Sequence, residues 1–211
     1  MKLTKFEHSC LILELEGSKL VIDPGSFTIP LVDNTGITAV VITHEHADHW
    51  TPEHLTRILR DSPNVAIYAP QGVANAATDF AVIPVRDGDV VVAGPFTLAF
   101  YGEKHAVIHS SIPVVDNVGV MVNDSIFYPG DSFTVPPVPV DVLATPVGAP
   151  WLKIAEVMDY VTAVAPKRSF PVHEMVLSTA GKSMGNDRIA AMTEAAGGTA
   201  FVLQPGESID L

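Results

Sequence analysis

The sequence is poor in cysteine, in positive charge and in long apolar runs. Cys10 is the one cysteine among 211 residues, so no disulfide can form within the chain. No apolar run reaches the roughly 18 residues of a membrane-spanning helix, and we expect no such helix. Lysine and arginine number 12 against 24 acidic residues, and the resulting net charge of −12 disfavours non-specific binding to nucleic acid or anionic lipid.

The chain does contain enough apolar residues to form a large hydrophobic core. Hydrophobic residues make up 47% and charged residues 17% of it, which suits one large domain or two small ones. The segment before Gly17 carries Glu7, Glu14 and Glu16 around its apolar residues and lacks a small-residue cleavage site. It therefore predicts a first strand and not a signal peptide. Together with the single cysteine, this favours a cytoplasmic location.

Strand-like runs dominate the sequence and occur in groups, with helices inserted between the groups. One helix is predicted to begin after Thr51, a suitable N-cap that is followed by Pro52. Two more are predicted over Pro150–Ala165 and Gly185–Ala196, and a strand at Phe201–Leu203 is expected to end the sheet. The pattern is typical of an α/β (α+β) protein whose sheets pack face to face with helices outside.

The same pattern predicts how the domain is organised. No low-complexity or like-charge segment interrupts the chain, so we expect residues 1–211 to form a single domain. The second half of the chain repeats the style of the first. We therefore expect two pseudo-symmetric halves, about 1–95 and 96–211, joined near Gly94-Pro95.

The segment VVITHEHADHW, from Val40 to Trp50, places three histidines and two acidic residues within six positions after an apolar strand. His44 and His46 are two residues apart, so at a strand end both imidazoles can reach one metal ion. Asp48 and His49 follow in the loop and can present ligands to an adjacent site. A solvated polar loop is the simpler alternative, but the H-x-H-x-D-H spacing behind a strand favours metal binding.

Three further segments end an apolar strand in a residue type that binds metals. They are TLAFYGEKH, SIFYPGD and RSFPVH, which end in His105, Asp131 and His173. Each has an ordinary alternative, because a lone histidine is more often a hydrogen-bonded polar residue and Pro-Gly-Asp is often a turn. Their joint occurrence, in this order after the first motif, predicts that separated strand ends converge on metal ions.

On these residues the sequence resembles the metallo-β-lactamase-fold hydrolases. Within them it is similar to the small single-domain branch of metal-dependent hydrolases that begins with a His-Ser element, here His8-Ser9. The resemblance covers essentially the whole chain and implies a four-layer αββα metallo-β-lactamase sandwich with a binuclear metal centre at one edge. It also implies that Asp23, in LVIDPG, hydrogen-bonds within the ligand loop, and that His8 lies near the site without binding metal.

The resemblance implies two metal sites joined by one bridging carboxylate. The first site is expected to use His44, His46 and His105, the second Asp48, His49 and His173, and Asp131 is expected to bridge them. His109 lies close to His105 in EKHAVIHSSIP, and only one of these two should bind the first metal. We favour His105, because it directly follows the predicted strand. His109 is then expected to contact the substrate or to support a ligand, and with Asp48 it is a candidate catalytic residue.

Such a site predicts hydrolysis. A divalent metal lowers the pKa of bound water to about 7, and two metals can stabilise both the nucleophile and the developing oxyanion. We therefore expect a metal-bridging hydroxide, oriented by Asp48, to cleave an ester, lactone, thioester, amide or phosphodiester. The charges of two cations, two aspartates and one hydroxide sum to about +1, which suits a small anionic substrate.

The sequence does not identify the metals, and two other functions of the same fold are alternatives to hydrolysis. Zn²⁺ is the expected ion because the ligands are mainly imidazole, although Mn²⁺ or Fe²⁺ would accept the same mixture. A di-iron redox protein of the same fold is disfavoured, since that branch has Glu in place of His46 and a flavin domain usually follows, whereas this sequence ends at Leu211. A metal-dependent nuclease is disfavoured because no exosite is visible and the net charge is negative.

Three residues near the ligands are candidates for binding the substrate, because loops at a ligand-bearing edge commonly carry specificity. Trp50 directly follows the ligand loop and Trp151 begins a predicted helix, although each is equally suited to core packing. Lys182, in the loop after His173, can bind an anionic group. We expect a small-molecule substrate and neither a membrane nor a nucleic-acid partner. The substrate itself, the physiological metal and assembly into a homo-oligomer are left open.

Overall fold

Two seven-stranded sheets and four helices make up the structure, a computed structural model that describes all residues 1–211. In spatial order, the first sheet contains β14 (Ser208–Asp210), β1 (Lys2–Lys5), β2 (Leu11–Leu15), β3 (Ser18–Ile22), β4 (Ile37–Val41), β5 (Ala66–Ala69) and β6 (Val82–Pro84). The second contains β13 (Thr199–Ala200), β12 (Arg168–Val172), β11 (Val142–Pro146), β10 (Ile126–Tyr128), β9 (Gly119–Val122), β8 (Phe96–Tyr101) and β7 (Val90–Ala93). The helices are α1 (Pro52–Asp61), α2 (Gln71–Ala76), α3 (Ile154–Val164) and α4 (Thr179–Ala195).

Each sheet is antiparallel on one side and parallel on the other. In the first sheet β14, β1, β2 and β3 pair antiparallel, and β3 to β6 pair parallel. In the second, β7 to β10 pair antiparallel and β10 to β13 pair parallel. Parallel strands have their carboxyl ends at the same edge, where ligand-binding loops collect.

The main core lies between the two sheets and is built from alternate residues of their strands. In β4, Ala39 and Val41 belong to this inner cluster, whereas Val40 packs in a second cluster with Leu55 and Ile58 of α1. A third cluster joins the outer face of the second sheet to α3 and α4. Because β4 is apolar on both faces, it is held rigidly between two layers, and the loop that follows it starts from a fixed point.

This arrangement confirms the predicted α/β sandwich with helices outside, but three predicted elements were wrong in detail. Helix α3 begins at Ile154 and not at Pro150, because Lys153 and Glu156 form its cap, with the Lys153 N–H donating to Glu156 Oε2. Trp151 therefore lies in the turn before the helix. The sheet does not end at Phe201–Leu203: β13 stops at Ala200, and the chain returns to the first sheet as the unpredicted β14.

The helix predicted from Gly185 begins six residues earlier, at Thr179, where the Ser178 hydroxyl caps the N–H of Gly181. Glycines within α4 weakened the helical signal of this segment. Gly185 is nonetheless accommodated because the helix packs so closely on Val147 that an added Cβ would lie 2.4 Å from its side chain. Lys182 is consequently a helical residue and not a loop residue.

The division into halves of about 1–95 and 96–211 stays a prediction. The chain passes from the first sheet to the second between Pro84 and Val90, and Gly94-Pro95 is the turn of the β7–β8 hairpin. No helix combines the length and apolar character that crossing a membrane requires.

Candidate metal centre

The residues that follow β4, β8, β10 and β12 meet at one edge of the sandwich. The main chains of the two sheets are joined there, because the Val118 N–H donates to Thr43 O at 3.0 Å and His44 pairs with Asn117 in an isolated bridge. Asn117 also holds the β10 loop, since its side-chain oxygen accepts the Asp131 N–H at 3.0 Å. These hydrogen bonds join the two sheets at this edge without involving the side chain of any predicted metal ligand.

All seven predicted ligands lie together at this edge, and an eighth residue, His8, lies beside them. Ligand atoms lie within 4.8 Å of one another in three overlapping groups: His44, His46 and His105; His44, His49 and Asp131; and His8, Asp48, His49 and His173. Most of these side chains are buried, and Asp48, at 27% exposure, is among the more accessible. A cluster of this composition can hold more than one cation.

Main-chain carbonyls orient the two histidines of the second sheet. His105 donates its Nδ1–H to the Ala106 carbonyl at 2.5 Å, and His173 donates its Nδ1–H to the Gly148 carbonyl at 2.7 Å. Because a carbonyl oxygen can only accept, the hydrogen of each neutral ring is on Nδ1. Each Nε2 is therefore the ring nitrogen that faces the cluster, in the orientation of a metal-binding histidine.

A side-chain network orients the histidines that follow β4. Asp23 accepts the His49 Nδ1–H at 2.6 Å and the Thr43 hydroxyl at 2.6 Å through Oδ2, and the Thr43 N–H at 2.8 Å through Oδ1. The Thr43 oxygen in turn lies 3.1 Å from His44 Nδ1 and accepts its hydrogen. His44 then directs a bare Nε2 toward His46 Nδ1, 3.0 Å away.

Four buried atoms at the centre have no hydrogen-bond partner: His49 Nε2, His105 Nε2, His173 Nε2 and Asp131 Oδ1. The three imidazole nitrogens surround the Asp131 carboxylate at 3.2, 3.3 and 3.0 Å respectively. Buried polar atoms are rarely left unpaired, and each such atom costs about 1–3 kcal/mol. Imidazole nitrogen and carboxylate oxygen are the donors that zinc and similar divalent ions prefer, so these residues fit a metal centre.

The electrostatics of the cluster favour positive charge beside Asp131. Burial by itself would lower the pKa of His173, but the Asp131 carboxylate has the opposite and larger effect and raises this pKa to about 9. Burial likewise opposes the charged form of His49, while Asp131 and Asp23 hold its pKa well above the usual value. Burial raises the pKa of Asp131 itself, but the two histidines hold it well below the usual range. A cation between these groups would satisfy the same carboxylate.

Three residues at this site have strained backbone conformations. Asp23, His8 and His173 have φ values of 47°, 61° and 61°, in the left-handed region that residues with a side chain seldom adopt. Such conformations cost about 1–3 kcal/mol each and persist where surrounding contacts enforce them. Gly25 allows the Asp23 turn to lie against the ligand loop, because a Cβ there would be 1.8 Å from the Asp48 carbonyl oxygen.

His8 lies within the cluster but is oriented to support Asp48. The Met175 N–H lies 3.3 Å from His8 Nδ1, and an N–H can only donate, so Nδ1 accepts. Burial lowers the pKa of His8, which keeps the ring neutral with its hydrogen on Nε2. That hydrogen is donated to Asp48 Oδ2 at 3.2 Å. A nitrogen that carries this hydrogen cannot bind a metal, so His8 is oriented to support Asp48, and its role beside the metal site stays a prediction.

Three other candidate residues lie outside the cluster. His109 is exposed and bonds within its own turn, where its Nδ1 accepts the Ser111 N–H at 3.1 Å. Trp50 packs in the core cluster beneath α1 and donates its indole N–H to the Glu45 carbonyl at 3.1 Å. Lys182 lies on α4 with Nζ 3.8 Å from the Met175 sulfur. The structure thus brings His105 and not His109 to the cluster.

The contacts of three further residues at this site were not predicted from the sequence. The role of Thr43 was not predicted, although a hydroxyl directly before the first histidine of the motif is a suitable hydrogen-bond partner for it. Asn117 gave no signal, because it is 14 residues from Asp131 in sequence and meets it only through the fold. Trp151, which the sequence suggested as a substrate contact or as core packing, donates its indole N–H to Asp131 Oδ2 at 2.9 Å.

The sequence comparisons agree with this geometry. Residues 2–173 match the family described as Beta-lactamase superfamily domain. Protein Rv0786c of Mycobacterium tuberculosis is 39% identical over 214 residues, covering 99% of this chain and 98% of that protein. A UPF0173 metal-dependent hydrolase of Chelativorans sp. is 29% identical over 118 residues, covering 50% of this chain and 49% of that protein.

Solved structures share the fold over the full length of the chain. Igni18, a metallo hydrolase from the archaeon Ignicoccus hospitalis, superposes with a TM-score of 0.75 at 20% identity, covering 99% of this chain and 97% of its own. CmlA, a diiron β-hydroxylase from Streptomyces venezuelae, has a TM-score of 0.75 at 15% identity, covering all of this chain and 54% of its own. At these identities the two likenesses show the fold alone.

Proposed function

Given that the chain belongs to the β-lactamase superfamily domain family and has the metallo-β-lactamase fold, we propose that it is a binuclear metal-dependent hydrolase of a small substrate. The general class is supported by relatives that are named metal-dependent hydrolases. The number of metals, their identity as zinc and the type of bond cleaved are our own proposals.

The observation that carries the proposal is the set of buried imidazole nitrogens that surround Asp131 without a hydrogen-bond partner. His49, His105 and His173 each donate Nδ1–H outward and present an unpartnered Nε2 inward. Positive charge must lie between these nitrogens and the buried carboxylate: protons supply it in the metal-free protein, as the raised pKa values of His49 and His173 indicate, and bound cations would replace those protons. We assign His44, His46 and His105 to one metal, Asp48, His49 and His173 to the other, and Asp131 to both.

Two divalent ions held there would make hydroxide available at neutral pH and would stabilise negative charge on the substrate oxygen. The protein itself would contribute hydrogen-bond acceptors that position the reacting groups. The His8 hydrogen bond to Asp48 Oδ2 and the His173 ring, whose Nε2 lies 3.5 Å from that oxygen, outweigh burial and hold the pKa of Asp48 far below its usual range. Asp48 is thus an ionised acceptor that reaches solvent, and we assign it the orientation of the attacking water.

Apolar side chains on the loops around this edge favour an uncharged portion in the substrate. Phe27, Val107 and Val176 follow the strands that carry Asp23, His105 and His173, and all three are exposed. We propose a small ester, lactone, thioester, amide or phosphodiester, with its polar oxygen at the metals. The assignments of His109, Trp50, Trp151 and Lys182 to catalysis or substrate contact stay predictions.

The experiment that tests the proposal combines metal analysis with a substrate screen. We expect about two zinc ions per chain after purification. Lactones, thioesters, β-lactams, p-nitrophenyl esters and bis(p-nitrophenyl) phosphate would be assayed with and without chelator. At least one should be hydrolysed, with loss of turnover on chelation and recovery on adding zinc. Turnover that persists in metal-free protein would contradict the proposal.

A di-iron redox function is the second candidate, because the diiron β-hydroxylase CmlA has the same fold. It predicts iron in place of zinc and absorption from the iron site in the purified protein. A colourless protein that is active with zinc and inactive with iron supports hydrolysis. An iron-loaded protein that consumes oxygen and hydrolyses none of the substrates supports the redox alternative.

The cellular location is proposed on a separate observation. Cys10 is buried and unpaired, which suits a reducing compartment such as the cytoplasm.

A further inference from the structure

Trp151 contacts the one carboxylate that both groups of histidines share. It lies in the turn between β11 and α3, is 8% exposed, and donates its indole N–H to Asp131 Oδ2 at 2.9 Å. Its ring meets His105 and His173 edge-on, with centroids 5.6 and 6.3 Å apart. The indole is therefore packed against both histidines of the second sheet while it hydrogen-bonds to the aspartate between them.

The hydrogen bond restricts how the carboxylate can turn. Asp131 Oδ1 faces His49 Nε2 at 3.2 Å, whereas Oδ2 faces His173 Nε2 at 3.0 Å and His105 Nε2 at 3.3 Å. An ionised carboxylate has about four acceptor positions, and the indole occupies one of those on Oδ2. An indole N–H donates only, so it neither competes for a metal nor takes up a proton. Its effect is to hold the other acceptor positions in place.

The ring of Trp151 is itself supported from the helical layer. Phe133 packs edge-on against Trp151 with centroids 5.3 Å apart, and Tyr160 of α3 packs on Phe133 at 5.4 Å. The Tyr160 hydroxyl donates to the Thr134 carbonyl at 3.0 Å. These contacts fix the indole, so the direction of its N–H does not depend on the metal site.

We propose that Trp151 is a positioning residue of the metal centre, whose indole N–H orients the Asp131 carboxylate between the two groups of histidines. This inference rests on the proposed function, because it takes Asp131 to be a metal ligand. It differs from the substrate contact predicted from the sequence, because Trp151 acts through Asp131 and not through the substrate.

The chain offers a matched control, because its two tryptophans have equal exposure and each donates one indole hydrogen bond. Trp50 donates to a main-chain carbonyl of the ligand loop, and Trp151 donates to a ligand side chain. Trp151→Phe and Trp50→Phe each remove an indole donor and some packing. The two variants therefore separate the loss of a tryptophan from the loss of the bond to Asp131.

Zinc affinity, measured by chelator competition with metal analysis, is the main readout. We expect Trp151→Phe to bind zinc about 10–100-fold more weakly than the parent protein, the usual effect of losing a partner of a ligand. Trp50→Phe should stay within about threefold of the parent. Lost packing lowers the melting temperature of the metal-free protein, whereas lost positioning lowers the stabilisation that zinc adds. Equal zinc affinities in the two variants would overturn the inference.

A second measurement leaves Trp151 unchanged and so does not depend on the folding of Trp151→Phe. In Trp50→Phe the emission comes from Trp151 alone, and it should change on titration with zinc, because the acceptor of its N–H becomes a metal ligand. Emission that is unaffected while zinc binds would overturn the inference. If parent and Trp50→Phe bind no zinc at all, the proposed function fails as well, and the two failures are thereby distinguished.

Discussion

The two sheets supply ligands to the same centre in different ways. The first sheet provides His44, His46, Asp48 and His49 from one loop after β4, oriented through the side chains of Asp23 and Thr43. The second provides His105, Asp131 and His173 from the ends of three strands, and its two histidines are oriented by main-chain carbonyls. Side-chain partners can be removed by substitution, whereas carbonyl partners can only be displaced. The two halves of the centre should therefore respond differently to mutation.

The largest effect is expected at Asp131, the carboxylate that both groups of histidines share. Asp131→Ala should reduce zinc affinity by more than about 100-fold and abolish turnover, because it removes the carboxylate that the Nε2 atoms of His49, His105 and His173 face. His46→Ala should reduce zinc binding and turnover together in the same way. Metal analysis after dialysis and a turnover assay measure both quantities.

Asp159→Ala is the matched control for charge, since Asp159 is an exposed carboxylate on α3 that makes no ion pair. It should retain zinc and turnover. Full zinc content in Asp131→Ala would show that the shared carboxylate does not hold the metals.

Asp23→Asn is expected to have the next largest effect and to act on the first sheet alone. The substitution replaces an acceptor-only carboxylate with an amide, which weakens the bonds from His49 and Thr43 together. We expect zinc affinity to fall by about 10–100-fold, measured by chelator competition. Thr43→Ser keeps the hydroxyl of the same network and should stay close to the parent. An unchanged affinity in Asp23→Asn would contradict the role of the side-chain network.

His8→Asn tests whether the support of Asp48 matters for turnover more than for binding. Asparagine tolerates the left-handed backbone at this position, but its shorter side chain loses the bond to Asp48. We expect a fall in kcat of about tenfold and a smaller change in zinc affinity. Zinc loss as severe as that of Asp131→Ala would instead identify His8 as a ligand.

The smallest effect is expected at a main-chain partner of the second sheet. In Gly148→Ala, the added Cβ would lie 2.5 Å from Leu177 Cγ, so the segment must shift and move the carbonyl that accepts from His173. We expect zinc affinity to fall only about threefold, because the carbonyl is displaced and not removed.

Leu177→Ala combined with Gly148→Ala relieves that collision and should restore zinc affinity. A double variant as weak as Gly148→Ala alone would show that the collision is not the cause.

The comparison also explains how much of the site was predictable. The four ligands after β4 lie within six positions of the sequence, so their spacing alone indicated metal binding. His105 and His109 both follow β8 closely, and their sequence positions could not decide between them. The structure places His105 Nε2 beside Asp131 and leaves His109 exposed in its own turn. That choice depends on where the strand end lies relative to β10 and β12.

The helical layer was predicted less well than the sheets, for local reasons. A strand whose residues alternate between buried and exposed is read directly from its period, as in β8. The start of α4 was misplaced because glycine is a poor helix former, and only close packing on Val147 makes it suitable at Gly185. The start of α3 was misplaced because Trp151 continues the apolar spacing but lies in a turn, where its indole reaches Asp131.

The sequence by itself determined that an apolar sandwich forms, that a rigid strand leads into H-x-H-x-D-H, and that this loop carries metal-binding residue types. Those properties depend on residues close together along the chain, where periodicity and spacing are sufficient. Only the tertiary structure decided which distant side chains complete the centre and which protons their imidazoles carry. The partners that decide these protons, among them the Gly148 carbonyl, the Asp23 carboxylate and the Met175 N–H, reach their histidines only after both sheets have packed.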